Sequence, residues 1–389
     1  MSTGVDAFEK LLWHYQHRSA EALKQHKAGV PVVGFTSNTV PWELIRAAGC
    51  FPVLIGPDLG VFDRPNSVAD SVMEPIFESR IRAIFSDILS GAWSFLRLLI
   101  IPRTSEPEYK LYLYLREVAR QKLSEKGPPV YLNDLLHTRS PVSRRYGIRR
   151  TEDLKRRLKA FGNISTKSLS KAIQESNAAR AGLRRLQNLR SGEAPRIAGS
   201  AAHAITGALY FMDRVEHANL IEEVCRQSKS SKPLRGPRLM IKGMPLYHNR
   251  LHQVLEQHDA VVVAEDDWWG SRAVNRDIAT APNSASSVKA IFENYYLRAP
   301  SPRVCPAAVA DRWFQSAVRR GIEGVVFYLP PDDDIYGWDY PRQLDFLSER
   351  AIPSLLIRED AVRELSTDTH ARIEEFVGTI RRSRHAARV

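Results

Sequence analysis

The apolar positions of this chain fall into short unbroken runs separated by longer stretches of helical period. Pro31–Phe35 (PVVGF), Phe51–Ile55 (FPVLI), Leu98–Pro102 (LLIIP) and Pro129–Leu132 (PVYL) are continuous rather than alternating. Strands read this way when a parallel sheet is covered on both faces. Between them, Pro41–Gly49, Pro75–Leu96 and Tyr109–Glu125 predict helices, with Pro41 suited to a first helical turn. The style then repeats. Arg238–Lys242 (RLMIK), Ala260–Ala264 (AVVVA), Gly324–Leu329 (GVVFYL) and Pro353–Arg358 (PSLLIR) predict four more strands. His248–His258, Pro341–Arg350 and Thr369–Arg382 supply helices beside them.

Between the two halves, Thr151–Leu189 holds helical period through Leu154, Leu158, Phe161, Leu169, Ile173, Leu183, Leu186 and Leu189. Thr151 followed by Glu152 and Asp153 predicts a helix start, since acids suit the first turn. The polar stretch SKSSKPLRGP (Ser228–Pro237) marks a boundary. The expected organisation is an N-terminal helix (1–29), a first α/β domain (30–150), a helical connecting segment (151–230) and a second α/β domain (237–389). The fold class is α/β, with two Rossmann-like or flavodoxin-like parallel-sheet halves bridged by helices.

Charge alters this picture in one place. The chain carries 56 Lys/Arg against 44 Asp/Glu, a net +12. Arg139–Arg190 alone holds 15 of the basic residues against Glu152, Asp153 and Glu175, so the remainder is neutral. That segment reads as a solvated helical face, or as a surface for an acidic partner or for phosphates. Aromatics there are sparse (Tyr146, Phe161), which argues against nucleic acid. No apolar run is long enough for a membrane span, and Met1–Gly29 lacks the apolar core of a signal peptide. A cytoplasmic protein is expected. Cys50, Cys225 and Cys305 are far apart, without C-x-x-C spacing, so neither disulfides nor zinc are indicated.

Candidate chemistry sits at strand ends, where α/β proteins place ligands. Neither half carries a G-x-G-x-x-G loop, a P-loop or a G-x-S-x-G elbow. Ser37, Asn38 and Thr39 follow the first strand, as a ligand loop or as caps of the Pro41 helix. Ser105 and Glu106 stand in the equivalent place after LLIIP. Asp332, Asp333 and Asp334 follow GVVFYL, either holding a hard cation such as Mg²⁺ or capping a polar loop. Glu265, Asp266 and Asp267 follow AVVVA and precede Trp268, Trp269, Gly270, Ser271 and Arg272. Arg272 either clamps a phosphate or carboxylate or pairs with Asp266 or Asp267. The Trp pair is read as cleft wall. His203, His217 and His248 lack metal-ligand spacing and are read as surface or satisfied core histidines.

Several segments, in order, resemble one family. They are VVGFTSNTVPWELIRAAGCFPVLI (Val32–Ile55), LLIIPRTSEPEYKLY (Leu98–Tyr112), AIQESNAARAGLRRLQNLR (Ala172–Arg190), VVVAEDDWWGSR (Val261–Arg272), DIYGWDYPRQLDFLSERAIPSLLIRED (Asp334–Asp360) and HARIEEFV (His370–Val377). Together they are similar to subunits of 2-hydroxyacyl-CoA dehydratases and benzoyl-CoA reductases. The resemblance implies paired subunits that bind CoA thioesters. It also implies a [4Fe-4S] cluster, held by three cysteines per subunit, that passes an electron to the thioester. Those cysteines would fall at Ser37, Ser105 and Asp333, so the expected iron–sulfur ligands are lost and the present cysteines lie elsewhere. The implied protein is a cluster-less component of an acyl-CoA dehydratase (a lyase) or acyl-CoA reductase. Its partner would be a homologous cluster-bearing subunit in a heterodimer, or a second copy of itself. No metal or iron–sulfur cofactor is expected in this chain. Alternatives are a binding or scaffold paralogue without catalysis, or a repurposed metal enzyme using Asp332–Asp334.

Overall fold

Two sheets of four parallel strands organise the chain. The first comprises β1 (Val32–Phe35), β2 (Phe51–Leu54), β3 (Leu98–Pro102) and β4 (Val130–Asn133), in the order β2-β1-β3-β4. The second comprises β5 (Arg238–Gly243), β6 (Val261–Asp266), β7 (Gly324–Tyr328) and β8 (Ser354–Ile357), in the order β6-β5-β7-β8. These are the strands the apolar runs predict, and the expected α/β class is the observed one. The computed structural model describes residues 6–56, 67–74, 77–124, 126–266, 269, 276–298, 305–331, 333, 335–360 and 363–386.

Burial explains the unbroken apolar runs. Every residue of β1, β2, β3 and β7 is buried, whereas edge strand β4 is only part-buried. Layers cover the second sheet on both faces. Leu239, Ile241, Val326 and Tyr328 pack with Leu255, Ile373 and Val377 on one side. Met240, Val325 and Phe327 pack with Phe314, Phe346 and Leu347 on the other. The first sheet shares its core with the helices Ala7–Gln16, Trp42–Ala47, Thr166–Arg190, Gly199–Ala208 and Arg214–Ser228.

The strand orders fix where a ligand can enter. In each sheet the chain leaves the first strand toward one neighbour and later crosses to the other side. The crevice of such a sheet opens at the carboxyl ends of those two diverging connections. Here that means β1/β3 and β5/β7. At the end of β5, Gly243 has φ 143°, and a Cβ there would stand 2.1 Å from the Tyr328 carbonyl oxygen. Only glycine lets β5 end this close to β7.

The connecting helices tie the halves together through the basic segment. Arg180, in helix Thr166–Arg190, donates to Glu43 Oε1 at 2.6 Å, and both are buried. Ten residues on, Arg190 reaches the other sheet and donates to both oxygens of Glu265 at 2.9 Å. Much of the local basic excess is therefore committed: Arg144 to Glu293, Arg150 and Arg156 to Asp153, Arg184 to Asp277 and Arg185 to Glu222. Charge counting within the segment overstated the uncompensated charge, because partners such as Glu43, Glu222, Glu265, Asp277 and Glu293 are distant in sequence.

Other expectations change in detail. Met1–Gly29 contains two helices, Ala7–Gln16 and Ala20–Lys27, rather than one. Thr151 does not start a helix. It lies inside Pro141–Leu158, whose cap is Ser140 accepting from Ser143 N at 3.1 Å, and its own hydroxyl donates to the Gly147 carbonyl at 2.8 Å. The Ser-Pro pair at 140–141 was the stronger start signal. Helices Ser284–Glu293 and Ala307–Val318 were not foreseen. Among the described residues, no helix is long and apolar enough to cross a membrane.

Candidate functional site

A cavity of about 360 Å³ opens between the carboxyl ends of the two sheets. The first sheet contributes residues 37–39 after β1 and 104–108 after β3, and the second contributes 244, 245 and 247 after β5 and 333, 335 and 336 after β7. Both crevices thus face one space. Phe77, Glu78 and Arg80, at the start of helix Ser79–Ser90, close one side, and Trp269 closes another. The volume falls within the usual range for small-molecule sites.

The polar side of the cavity is built on Glu108, which is 2% exposed. It accepts from Thr36 Oγ1 at 2.9 Å and from Thr104 Oγ1. Burial pushes its carboxyl above the usual value of 4.5, against the opposing pull of Arg80 and the two threonine hydroxyls. Arg80 does not belong to Glu108 alone. Its Nε donates to Glu78 Oε1 at 2.8 Å, its Nη1 to the Thr36 carbonyl at 3.4 Å, and its guanidinium lies 4.8 Å from the Tyr247 ring centre. One cation therefore serves two carboxyls, and the more buried one is left partly uncompensated.

Aromatic packing forms the opposite wall. Trp269 stacks on His203 at 5.6 Å and meets Tyr247 edge-on at 5.0 Å. Its carbonyl accepts from Tyr210 OH at 2.5 Å and from Asn38 Nδ2 at 3.4 Å. A Cβ on Gly207 would come within 2.7 Å of both Trp269 and Tyr15, so this helix position must stay bare for the indole to seat. Asn38 thus links the β1 loop to the residues after β6.

Of the candidate residues, Ser37, Asn38, Thr39, Ser105, Glu106 and Asp333 all line this cavity. Ser105 caps helix Glu106–Arg120, accepting from Glu108 N at 3.3 Å. Asp333 accepts from the backbone N–H groups of Ile335 (3.3 Å), Tyr336 (3.0 Å) and Gly337 (2.5 Å). Ser37 Oγ and Thr39 Oγ1 are 3.2 Å apart, and helix Trp42–Ala47 has no side-chain cap, so the capping alternative for this loop does not hold. Asp266 is not in the lining. It is 1% exposed and pairs with Lys242 Nζ at 3.3 Å. Asp267, Ser271, Arg272, Asp332 and Asp334 lie outside the described residues.

The histidines are core residues. His203 Nε2 lies 2.7 Å from the Leu246 carbonyl and His217 Nε2 2.8 Å from that of Ile205. Burial lowers the pKa of both, that of His217 to about 4. No group of three or more His, Cys, Asp or Glu among the described residues could hold a metal ion. Cys50 and Cys225 are buried away from the cavity, and burial pushes the Cys50 thiol up to about 12. Reading the sequence missed Glu78, Arg80, Glu108 and Tyr247. Glu108 did carry a signal: Ser105-Glu106-Pro107-Glu108 has the spacing of a capping box. The serine caps as that pattern demands, but the glutamate turns to Thr36 and Thr104.

Comparison with known proteins bears on this architecture. The family model described as 2-hydroxyglutaryl-CoA dehydratase, D-component, matches residues 38–380. The chain belongs to this family. It is also similar to the (R)-phenyllactyl-CoA dehydratase beta subunit of Clostridium sporogenes, at 24% identity over 226 residues. That match covers 57% of this chain and 60% of the relative's length. The D-component match begins one residue past Ser37, so it leaves out β1 but takes in the other seven strands and the loops after β3, β5 and β7. The dehydratase-family scaffold thus includes nearly the whole cavity lining.

Proposed function

We propose that this chain is a cluster-less subunit of a 2-hydroxyacyl-CoA dehydratase-type complex, binding an acyl-CoA in the cavity and pairing with a [4Fe-4S]-bearing homologue. One observation carries the reading: the three strand-end positions expected for cluster cysteines, Ser37, Ser105 and Asp333, line a single cavity and all offer oxygen. A four-iron cluster takes soft thiolates. These oxygens are hard donors, and all three side chains already accept backbone N–H groups, Ser37 at the longest distance, 3.4 Å. The lining contains no cysteine among the described residues, and the Cys50 thiol is held protonated by burial. The residues present do not suit the cluster, so no electron-transfer step is assigned to this chain.

What the chain can do is bind and exclude water. The paired crevices, the aromatic wall and the Glu108–Arg80 floor form a bounded space for an acyl group. The named relative is a beta subunit, which supports a heteromeric assembly. The test is anaerobic purification alone and with a cluster-bearing homologue, measuring iron, sulfide and visible absorbance. Iron bound stoichiometrically by the lone chain would refute the reading. A cluster found only in the complex supports it. Tight acyl-CoA binding without any stable pairing would favour a binding paralogue instead.

A further inference from the structure

We propose that Arg18, with Tyr15 beside it, is a positioning residue for the cavity: it fixes the loop after β5, and through that loop the Tyr247 ring, in the form that receives the ligand. This rests on the acyl-CoA reading above. Tyr15 stands at the end of helix Ala7–Gln16 and Arg18 in the turn before helix Ala20–Lys27, both upstream of the family match at 38–380.

Two polar routes leave this turn and end on successive carbonyls. Arg18 Nη2 donates to the Tyr247 carbonyl. Tyr15 OH lies 3.3 Å from His203 Nδ1, and His203 Nε2 lies 2.7 Å from the Leu246 carbonyl. A carbonyl only accepts, so Nε2 carries the His203 proton. Burial holds the ring's pKa well below its ordinary 6.5, so the ring is neutral and its Nδ1 accepts from Tyr15. Both anchors are themselves fixed. Arg18 and Tyr15 are each 1% exposed. The guanidinium lies 5.1 Å from the Tyr15 ring centre and 5.0 Å from that of Phe211, and its Nε donates to the Tyr15 carbonyl at 3.3 Å. A buried cation held by ring faces and carbonyls has little freedom to swing away.

The loop needs such anchors. Residues 244–249 form neither helix nor strand, and Pro245 has no N–H to give. Yet Met244, Pro245 and Tyr247 line the cavity. The Tyr247 ring also joins two of its walls, lying 4.8 Å from the Arg80 guanidinium and 5.0 Å from Trp269. Carbonyls held at 246 and 247 set the backbone from which that ring projects. Without the donors the ring loses its fixed place, and a misplacement of about 1 Å in a binding wall is enough to cost affinity steeply. Arg18 touches no ligand in this arrangement; it acts through the loop.

The experiment titrates the full-length chain and its variants with hexanoyl-CoA and with free CoA, which has no acyl group. Calorimetry reads the affinities and thermal melting confirms folding. Arg18→Met keeps an unbranched side chain in the core but removes every donor. It should weaken hexanoyl-CoA by at least about tenfold while free CoA stays within about threefold of the native value. Arg18→Lys retains a cation and a donor without the planar fork, so its hexanoyl-CoA affinity should fall between the two. A merely structural role would lower both ligands together. Hexanoyl-CoA binding by Arg18→Met within about threefold of native, or an equal loss for both ligands, overturns the inference and leaves the acyl-CoA reading intact. Failure of the native chain to bind hexanoyl-CoA overturns both. Should Arg18→Met not fold, Tyr15→Phe carries the test, since it removes only the hydroxyl that orients His203. A loss of at least about threefold confined to hexanoyl-CoA supports the proposal, and an unchanged affinity refutes it.

Discussion

Two buried glutamates, Glu43 in the helical layer and Glu108 in the cavity, differ in the partners around them. Glu43 is 0% exposed. Arg180 and Ser176 both donate to its Oε1 at 2.6 Å, Tyr295 donates to its Oε2 at 2.9 Å, and Arg214 stands 4.0 Å away. Burial pushes its pKa up, but Arg180 and Arg214 outweigh that and hold it below the usual value. Glu108 is as deeply placed but has only hydroxyl donors and a share of one arginine, so burial wins and its pKa rises. The first carboxylate is a closed fastener between helices. The second is a carboxyl whose pKa burial raises, in a cavity wall, the setting in which a perturbed group marks a candidate binding or reacting site.

The largest expected effect breaks the fastener. Glu43→Ala leaves Arg180 and Arg214 buried without their carboxylate, a loss of about 3–5 kcal/mol by analogy with other broken buried pairs. Denaturant unfolding measures it. A loss below about 1 kcal/mol would mean the cluster is poorly coupled to folding and would remove one side of the contrast.

A pH series sharpens the same contrast, because the two groups must act in opposite directions. Glu43 has a lowered folded pKa, so its stabilisation is present above the unfolded value and is lost as pH falls through the folded one. Glu108 has a raised folded pKa, so its contribution is full below the unfolded value of about 4.5 and is lost as pH rises through the folded one. Glu108→Gln mimics the protonated acid. Relative to this variant, the native chain should lose stability as pH rises from about 4.5 toward neutrality, with the two within about 1 kcal/mol at the acid end. The opposite slope would show that Arg80 holds Glu108 ionised.

The same physics explains which features the sequence made legible. Strand positions follow from local apolar runs, and all eight fall where LLIIP, GVVFYL and their counterparts predict them. Ser37, Ser105 and Asp333 were accessible because strand ends are local features and a family resemblance places three loops there. Arg80 and Tyr247 were not. Their pairing spans more than 160 positions, and nothing in either local stretch distinguishes a cavity arginine from a surface one. The basic segment misled for a similar reason: Arg180 and Arg190 find Glu43 and Glu265 only once both sheets are folded.

The smallest effects separate the three strand-end positions from each other. Asp333→Ala removes the acceptor for three backbone N–H groups and should cost about 1–2 kcal/mol. Ser105→Ala removes one helix cap and should cost about 1 kcal/mol. Ser37→Ala loses a 3.2 Å contact with Thr39 Oγ1 and a long 3.4 Å bond from Thr39 N, so a change within about 0.5 kcal/mol is expected. Thermal or chemical unfolding of the three variants checks the ranking. The order bears on the proposed loss of cluster ligands. Where the residue present makes a structural bond, as at 105 and 333, substitution by cysteine would have to surrender that bond. At 37 almost nothing opposes it, so Ser37→Cys should be tolerated with stability unchanged. A large loss there would mean that the hydroxyl, like the Asp333 carboxylate, has become part of the scaffold.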